Sequence, residues 1–366
     1  MSFPETTGIQ LSDATATDSD VAAPAPAEIR PLLVPRDGPI EALTRRADLE
    51  RLAARLDTAA PGPIALDAER ASGFRYSARA YLIQLRRADV GSALIDPIAV
   101  DGDLSVLAEP LARSEWVLHA ATQDLPCLAE IGLRPRRLFD TELAGRLAGF
   151  DRVGLAPLVE RMLGLGLVKG HGAAGNGRCD QSAAWLNYAA LDVEVLLELR
   201  DAMAAELDRQ GKTEWAAQEF AALVHFTGPP VRIDPWRRTS GIHRMRDGRQ
   251  LAIVRALWTA RDTYAEQRDI APHRVLPDPA IVQAATAQPK TESALIKLPL
   301  FTGRGQRRQA ARWQAAIDAA LALATTDLPT GRSGPESLPP PVQRWKDKNP
   351  AAAARLGPAD PANQLR

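Results

Sequence analysis

Three short apolar runs, Pro63-Ile64-Ala65-Leu66-Asp67, Ala80-Tyr81-Leu82-Ile83-Gln84-Leu85 and Ala93-Leu94-Ile95-Asp96, each close on a polar or turn residue. That is the pattern of consecutive β-strands, and their short connections favour antiparallel pairing. Trp116-Val117-Leu118-His119 and Arg137-Leu138-Phe139-Asp140 follow helical spacers and read as parallel additions. The result is a mixed α/β sheet flanked by helices. From Ala183 to Arg209 apolar positions recur at helical spacing without Pro or Gly, which predicts one long helix closing the first domain. Thr213–Leu223 and Gln250–Gln267 also read as helices. Arg274–Ala285 and Thr291–Leu298 suggest shorter ones, and Arg308–Ala324 a last one. These make a compact all-α second domain, with Phe226–Arg249 as its linker.

The two ends break the pattern. Residues 1–40 are rich in Ser, Thr, Ala, Pro and Asp, and bury too little apolar surface to offset their ordering entropy. Residues 327–366 carry Leu338-Pro339-Pro340-Pro341 and later Pro350, Pro358 and Pro361. The chain therefore divides into a disordered tail (1–40), an α/β domain (41–210), a helical linker (211–248), a helical domain (249–326) and a Pro-rich tail (327–366).

A chain of 366 residues, 45% hydrophobic and 25% charged, can fill one or two cores. It has no apolar run approaching the roughly 18–20 residues of a membrane span, and its acidic, polar N-terminus is unlike a secretory signal. A cytoplasmic protein is expected. Cys127 and Cys179 are too few for a disulfide framework or a cysteine zinc site, and read as ordinary reduced thiols. The zero net charge conceals an asymmetry: residues 230–320 hold 16 Lys/Arg against 8 Asp/Glu, so the remainder is acidic. A basic segment beside a carboxylate-bearing one suits a protein that grips a phosphate backbone in one part and binds cations in another.

The carboxylates have a pattern of their own. Asp67 and Glu69, at i and i+2 on a strand, project from one face, and four apolar or small residues precede them. An isolated Asp-x-Glu is ordinarily a pair of solvated charges, but this one ends a core strand. Tyr188 and Asp192, at i and i+4, share a helix face. Asp124 opens a helix, where a carboxylate also complements the dipole. Four carboxylates and a phenol suit two hard divalent cations with oxygen ligands, the equipment for phosphodiester hydrolysis.

In this order the motifs Asp67-x-Glu69, His119-x4-Asp124 and Tyr188-x3-Asp192 resemble those of the DEDDy 3′→5′ exonucleases. Tyr81-Leu82-Ile83-Gln84-Leu85, Leu94-Ile95-Asp96-Pro97, Phe139-Asp140-Thr141 and Lys169-Gly170-His171 are similar, more specifically, to ribonuclease D. The resemblance implies a ribonuclease H-like exonuclease fold, Mg²⁺ or Mn²⁺ as the two cations, and hydrolysis at RNA 3′ ends such as those of tRNA precursors. Single-stranded DNA 3′ ends are the alternative substrate. It also implies that Asp67, Glu69 and Asp192 surround the cation that activates water. Asp67 would bridge to the second, Asp124 would hold that second ion largely through water, and Tyr188 would orient the attacking water. His119, Asp140 and His171 are read as structural.

Leu251–Leu323, with Leu257-Trp258-Thr259-Ala260-Arg261-Asp262 and Leu298-Pro299-Leu300-Phe301, resembles an HRDC domain, which implies auxiliary nucleic-acid binding. Arg304, Arg307, Arg308 and Arg312 would there contact phosphates without reading sequence. Trp258 and Trp313 read as core. Two features depart from the family. Gly175–Ser182 stands where a Trp-containing stretch is expected, and its glycines add unfolded-state entropy without packing area. Pro341–Leu356 looks like the opening of a further helical domain. Both keep open a nucleic-acid-binding protein with a degenerate nuclease site. The complete set of Asp67, Glu69, Asp124, Tyr188 and Asp192 argues for an active enzyme, because folding alone gives no reason to crowd like charges.

Overall fold

The computed structural model describes residues 29–167 and 182–330. Lys169–His171, Cys179, the Gly175–Gln181 stretch and the Pro-rich segment from residue 331 lie outside the described residues.

Two short strands, β1 (Arg30–Leu32) and β2 (Ala42–Leu43), precede α1 (Arg46–Thr58), which buries Leu49, Leu52 and Leu56. Then come β3 (Ile64–Arg70), β4 (Ala80–Arg87) and β5 (Gly91–Ile95), paired antiparallel as their spacing predicts. α2 (Ser105–Arg113) leads to β6 (Glu115–Leu118), and α3 (Leu125–Glu130) to β7 (Arg137–Asp140). Both strands add in parallel beyond β3, giving a six-stranded sheet of order β2-β5-β4-β3-β6-β7 with β3 in its interior. Period-two alternation sorts the central strands between two layers. Ile83 and Leu85 join the main core with Leu49, Leu107 and Trp116, whereas Leu82 and Leu94 meet a separate helical face.

α4 (Thr141–Leu147) and α5 (Leu155–Leu163) are followed by β8 (Leu165–Leu167), which pairs in parallel with β1. This corrects the expectation of a disordered tail through residue 40: the described part, from Ile29, is ordered. Composition averaged over 40 residues hid the short strand that ends on Leu32, which packs against the main core.

The helix expected over Ala183–Arg209 is two, α6 (Ala183–Glu194) and α7 (Leu196–Arg209), interrupted at the buried Val195. Propensity gives no stop signal there; packing does. α6 lies on β3, β4 and β5 through Trp185, Leu186, Ala189 and Ala190, while α7 buries Leu196, Leu199 and Met203 in the main core. α8 (Thr213–Val224) places Ala216 and Phe220 in that same core, so the first part of the expected linker belongs to the α/β unit. Val231 and Ile233, at 98% and 82% exposure, mark the connection itself.

The second unit has its own core, containing Trp236, Leu257, Phe301, Trp313 and Ile317, with Trp258 at its margin. It is built from α9 (Gly248–Arg268), α10 (Pro272–Val275), α11 (Asp278–Ala287), α12 (Glu292–Leu295), α13 (Arg304–Arg308) and α14 (Ala310–Leu321). The single helix expected over 274–285 is split because Pro277 forces Leu276 into an extended conformation. The last helix, expected over 308–324, is likewise divided at Gln309, so Arg304, Arg307 and Arg308 sit on their own short helix and Arg312 on the next.

The units meet where the β3–β4 connection reaches α9. Tyr76 Oη donates to Asp262 Oδ2 at 3.2 Å, and the Ser77 N–H donates to Asp269 Oδ1 at 2.9 Å. Among the described residues, no helix is long and apolar enough to cross a membrane.

Candidate active site

The cleft begins where β3 and its parallel neighbour β6 end. Asp67 and Glu69 alternate onto the face of β3 that α6 covers, because Asp67 pairs with Gln84 and Glu69 with Leu82, a residue of the α6 contact. Ala189 and Ala190, fully buried, let α6 approach the sheet closely. That approach brings Asp192 to the strand: oxygen atoms of Asp67, Glu69 and Asp192 all lie within 4.8 Å of one another. Ser182 caps α6 by accepting the Trp185 N–H at 3.4 Å.

Asp124 is delivered by the turn after β6. Ala120 adopts a left-handed conformation (φ 60°), a strained state for a residue with a Cβ. The buried Asp140 carboxylate holds it there, accepting the N–H groups of Ala120 and Ala121 at 3.0 and 2.9 Å while capping α4 through Glu142 and Leu143. Asp140 thus has the structural role expected of it. Asp124 follows this turn, precedes α3, and hydrogen-bonds to Asp67 through their carboxyl groups.

His119 also lines the cleft. Its Nδ1 lies 2.9 Å from Thr141 Oγ1, and that hydroxyl donates its own hydrogen to the Leu118 carbonyl. The imidazole therefore carries its proton on Nδ1, and burial holds its pKa below the usual value.

The electrostatics are those of crowded, desolvated carboxyls. Burial, then the neighbouring Asp67 charge, pushes Asp124 and Asp192 each up to about 8 and Glu69 to about 7. Burial raises Asp67 as well. Tyr188 does not line the cavity, but the Asp192 charge, burial and the charges of Glu69 and Asp67 push its phenol up to about 12. Four of the five expected site residues, Asp67, Glu69, Asp124 and Asp192, thus line one cleft of about 260 Å³, and Tyr188 stands one helical turn before Asp192 on α6. A cluster that pushes its own acids toward neutrality fits a hard divalent cation, which satisfies oxygen ligands and removes the repulsion. The protein is therefore read as divalent-metal dependent, through these acids.

Sequence reasoning passed over several residues here. Arg70 and Gln123 line the cleft beside the acids, as do Leu155 and Leu196. Strand alternation assigns Arg70 to the other face, so nothing in the pattern flagged it. Glu194, buried behind Asp192 on α6, lies 3.2 Å from Arg86 of β4 and 3.6 Å from Arg36, tying α6 to the sheet and to the N-terminal segment. Arg304, Arg307, Arg308 and Arg312 are all exposed on the second unit and take no part in the cleft.

Comparison with known proteins assigns both units to families. Residues 40–208 match the family described as 3′-5′ exonuclease and residues 250–317 the HRDC domain. The chain is 34% identical over 321 residues to ribonuclease D of Jannaschia sp., covering 84% of this chain and 80% of that protein. It is 31% identical over 305 residues to ribonuclease D of Acidiphilium cryptum, covering 80% and 76%. A crystal structure of a Bifidobacterium adolescentis protein superposes with a TM-score of 0.81 at 37% identity, covering 90% of this chain and 84% of that one. Escherichia coli RNase D shares the fold, with a TM-score of 0.68 at 23% identity over 89% and 86% of the two chains. With an acid-lined cleft in its 3′-5′ exonuclease domain and an HRDC domain after it, the chain belongs to the ribonuclease D family.

Proposed function

We propose that this protein is a metal-dependent 3′→5′ exoribonuclease that removes nucleotides from RNA 3′ ends, including those of tRNA precursors, in the cytoplasm. The observation that carries the reading is the convergence of Asp67, Glu69 and Asp192 within 4.8 Å, with Asp124 hydrogen-bonded to Asp67 beside them. Ribonuclease D is also the name of relatives that span most of its length.

Asp67, Glu69 and Asp192 would hold one cation, Mg²⁺ or Mn²⁺, and Asp67 with Asp124 would hold a second. Cations bound there supply a nucleophile from water at neutral pH and offset charge on the reacting phosphate. Tyr188, whose phenol stays protonated far above neutrality, presents its O–H to the attacking water and orients it rather than taking its proton. The neutral His119, fixed through Nδ1, keeps the turn before Asp124 in register with β7. The catalytic unit runs from β1 through α8, wider than the 41–210 expected, and the HRDC unit covers residues 249–326. On the latter, Arg304, Arg307, Arg308 and Arg312 hold RNA phosphates.

A 5′-labelled RNA and the matching DNA strand, incubated with Mg²⁺ or Mn²⁺ and either the native chain or Asp67→Asn, test the reading. Stepwise shortening of RNA from its 3′ end, absent in the variant, is the expected result. Shortening of DNA alone would assign the enzyme to the other sugar. Binding of RNA without shortening by the native chain would make it a nucleic-acid-binding protein with a degenerate nuclease site.

A further inference from the structure

The acids of the cleft have a cation among them that the cation-binding reading leaves without a task. Arg70 follows Glu69 directly, at the end of β3, and strict alternation would turn it away with Ala68. The strand pairing shifts register between Glu69 and Arg70, the partner moving from Leu82 to Ala80. Such irregularities re-aim side chains at the ends of strands. The Arg70 side chain lines the same cleft as Asp67, Glu69, Asp124 and Asp192, and among the described residues lining it supplies the one guanidinium.

Arg70 is poorly held by its neighbours. Nη2 lies 3.9 Å from Asp124 Oδ1 and donates one long hydrogen bond, 3.4 Å, to Gln123 Oε1. Elsewhere in this chain arginines make close forked pairs with carboxylates. Arg209, for example, reaches the two oxygens of Glu206 at 2.8 and 2.6 Å. An arginine retained only as a counter-ion for Asp124 has the same geometry open to it and does not take it. Its side chain is 27% exposed, so the guanidinium that lines the cleft is open to solvent and not sealed in the core. A guanidinium fork matches a phosphodiester, which it can hold through two parallel N–H···O bonds. A polyanion entering a cleft walled by carboxylates also needs a fixed positive charge at its lip.

We infer that Arg70 is a substrate-contacting residue that grips a phosphate within the last dinucleotide of the RNA 3′ end, using donors that Gln123 and Asp124 leave open. The inference rests on the exoribonuclease reading above and assigns one of its substrate contacts.

The test compares the full-length native chain with Arg70→Gln and Arg70→Lys. Binding of a short oligoribonucleotide is measured by fluorescence anisotropy in Ca²⁺, beside isothermal titration with Mn²⁺ alone. Loss of one charge-assisted phosphate contact should weaken RNA binding in Arg70→Gln by about tenfold or more and lower the slope of log affinity against log salt by about one. Mn²⁺ binding should stay native, and Arg70→Lys should recover part of the loss. Oligonucleotides with a neutral methylphosphonate at each of the two terminal linkages in turn provide the decisive cycle. The penalty of Arg70→Gln should vanish on one of them, because the anionic partner is already gone.

A penalty that persists unchanged on both modified strands, native RNA affinity in Arg70→Gln, or loss of Mn²⁺ binding in both variants would each overturn the assignment. The first two place Arg70 away from those phosphates, and the third makes it a prop for the cleft. Failure of the native chain to shorten unmodified RNA in Mg²⁺ or Mn²⁺ is a separate result, which removes the exoribonuclease reading and this contact with it.

Discussion

The carboxyl groups of Asp67 and Asp124 share a hydrogen bond, so a proton is held between an acid of β3 and an acid that follows the turn after its parallel neighbour β6. The cation-free cleft is stabilised by holding protons, and that fixes the sign of its pH dependence. Asp124 and Asp192 titrate near about 8 and Glu69 near about 7, well above their unfolded values of 3.8 and 4.5. The folded chain therefore binds more protons than the unfolded one across that interval. Their contribution to stability is complete below about pH 4 and is lost as pH rises through about 7 to 8. Thermal unfolding of chelator-treated protein should move to lower temperature over that range, and Asp124→Asn should flatten the profile. A profile that rises with pH through neutrality would contradict the assignment.

Cations must displace those protons, so Mn²⁺ affinity should increase with pH up to about 8 and binding should release protons. Titration calorimetry in buffers of different ionisation enthalpy counts them directly. Asp67→Asn, which removes a ligand rather than a supporting partner, should weaken Mn²⁺ binding beyond the roughly 10–100-fold typical of outer partners.

Tyr188→Phe keeps the ring and deletes the hydroxyl that Asp192, burial, Glu69 and Asp67 hold protonated. Turnover should fall by about a hundredfold, the lower range for a group that handles a proton or the attacking water, with Mn²⁺ affinity unchanged. Single-turnover kinetics separate the two, and parallel loss of metal binding would show that the ring rather than the hydroxyl matters.

Arg86→Ala should be far more damaging than its distance from the cleft suggests. It leaves the buried Glu194 carboxylate with only the Arg36 guanidinium, 3.6 Å away, as a counter-charge. Breaking a buried pair from one side costs about 3–5 kcal/mol, measurable by urea unfolding. Glu194 sits two residues from Asp192, so residual activity should drop even in the fraction that stays folded.

Asp269→Asn tests the seam between the units. Asn also tolerates the left-handed backbone at this position (φ 47°) but loses the charge that the Ser77 N–H and the nearby Arg75 and Arg79 address. The change should cost about 1 kcal/mol and speed limited proteolysis of the connection near Val231. Exchanging Arg304, Arg307, Arg308 and Arg312 together for Ala should, by contrast, leave stability alone and reduce the salt dependence of RNA binding.

Much of this molecule was legible in the chain. Short apolar runs between Pro63 and Asp96 marked three antiparallel strands, because a strand buried on both faces must be apolar and must stop at polar turn residues. The spacing of Asp67, Glu69, Tyr188 and Asp192 named the side chains that share a face, since that follows from the periods of strand and helix alone. The break at Val195 was not legible. No residue there disfavours helix, and the interruption exists because α6 and α7 bury their apolar sides in different cores.

By itself, then, the sequence determined most of the strands and helices and which acids share a face, for these depend on contacts a few residues long. Only the tertiary structure decided that residues 30–32 join β8, that α8 belongs to the first core, and that Arg70 reaches the cleft. Those outcomes depend on where distant surfaces meet and where one strand slips register. Such facts belong to packing, and no local period records them.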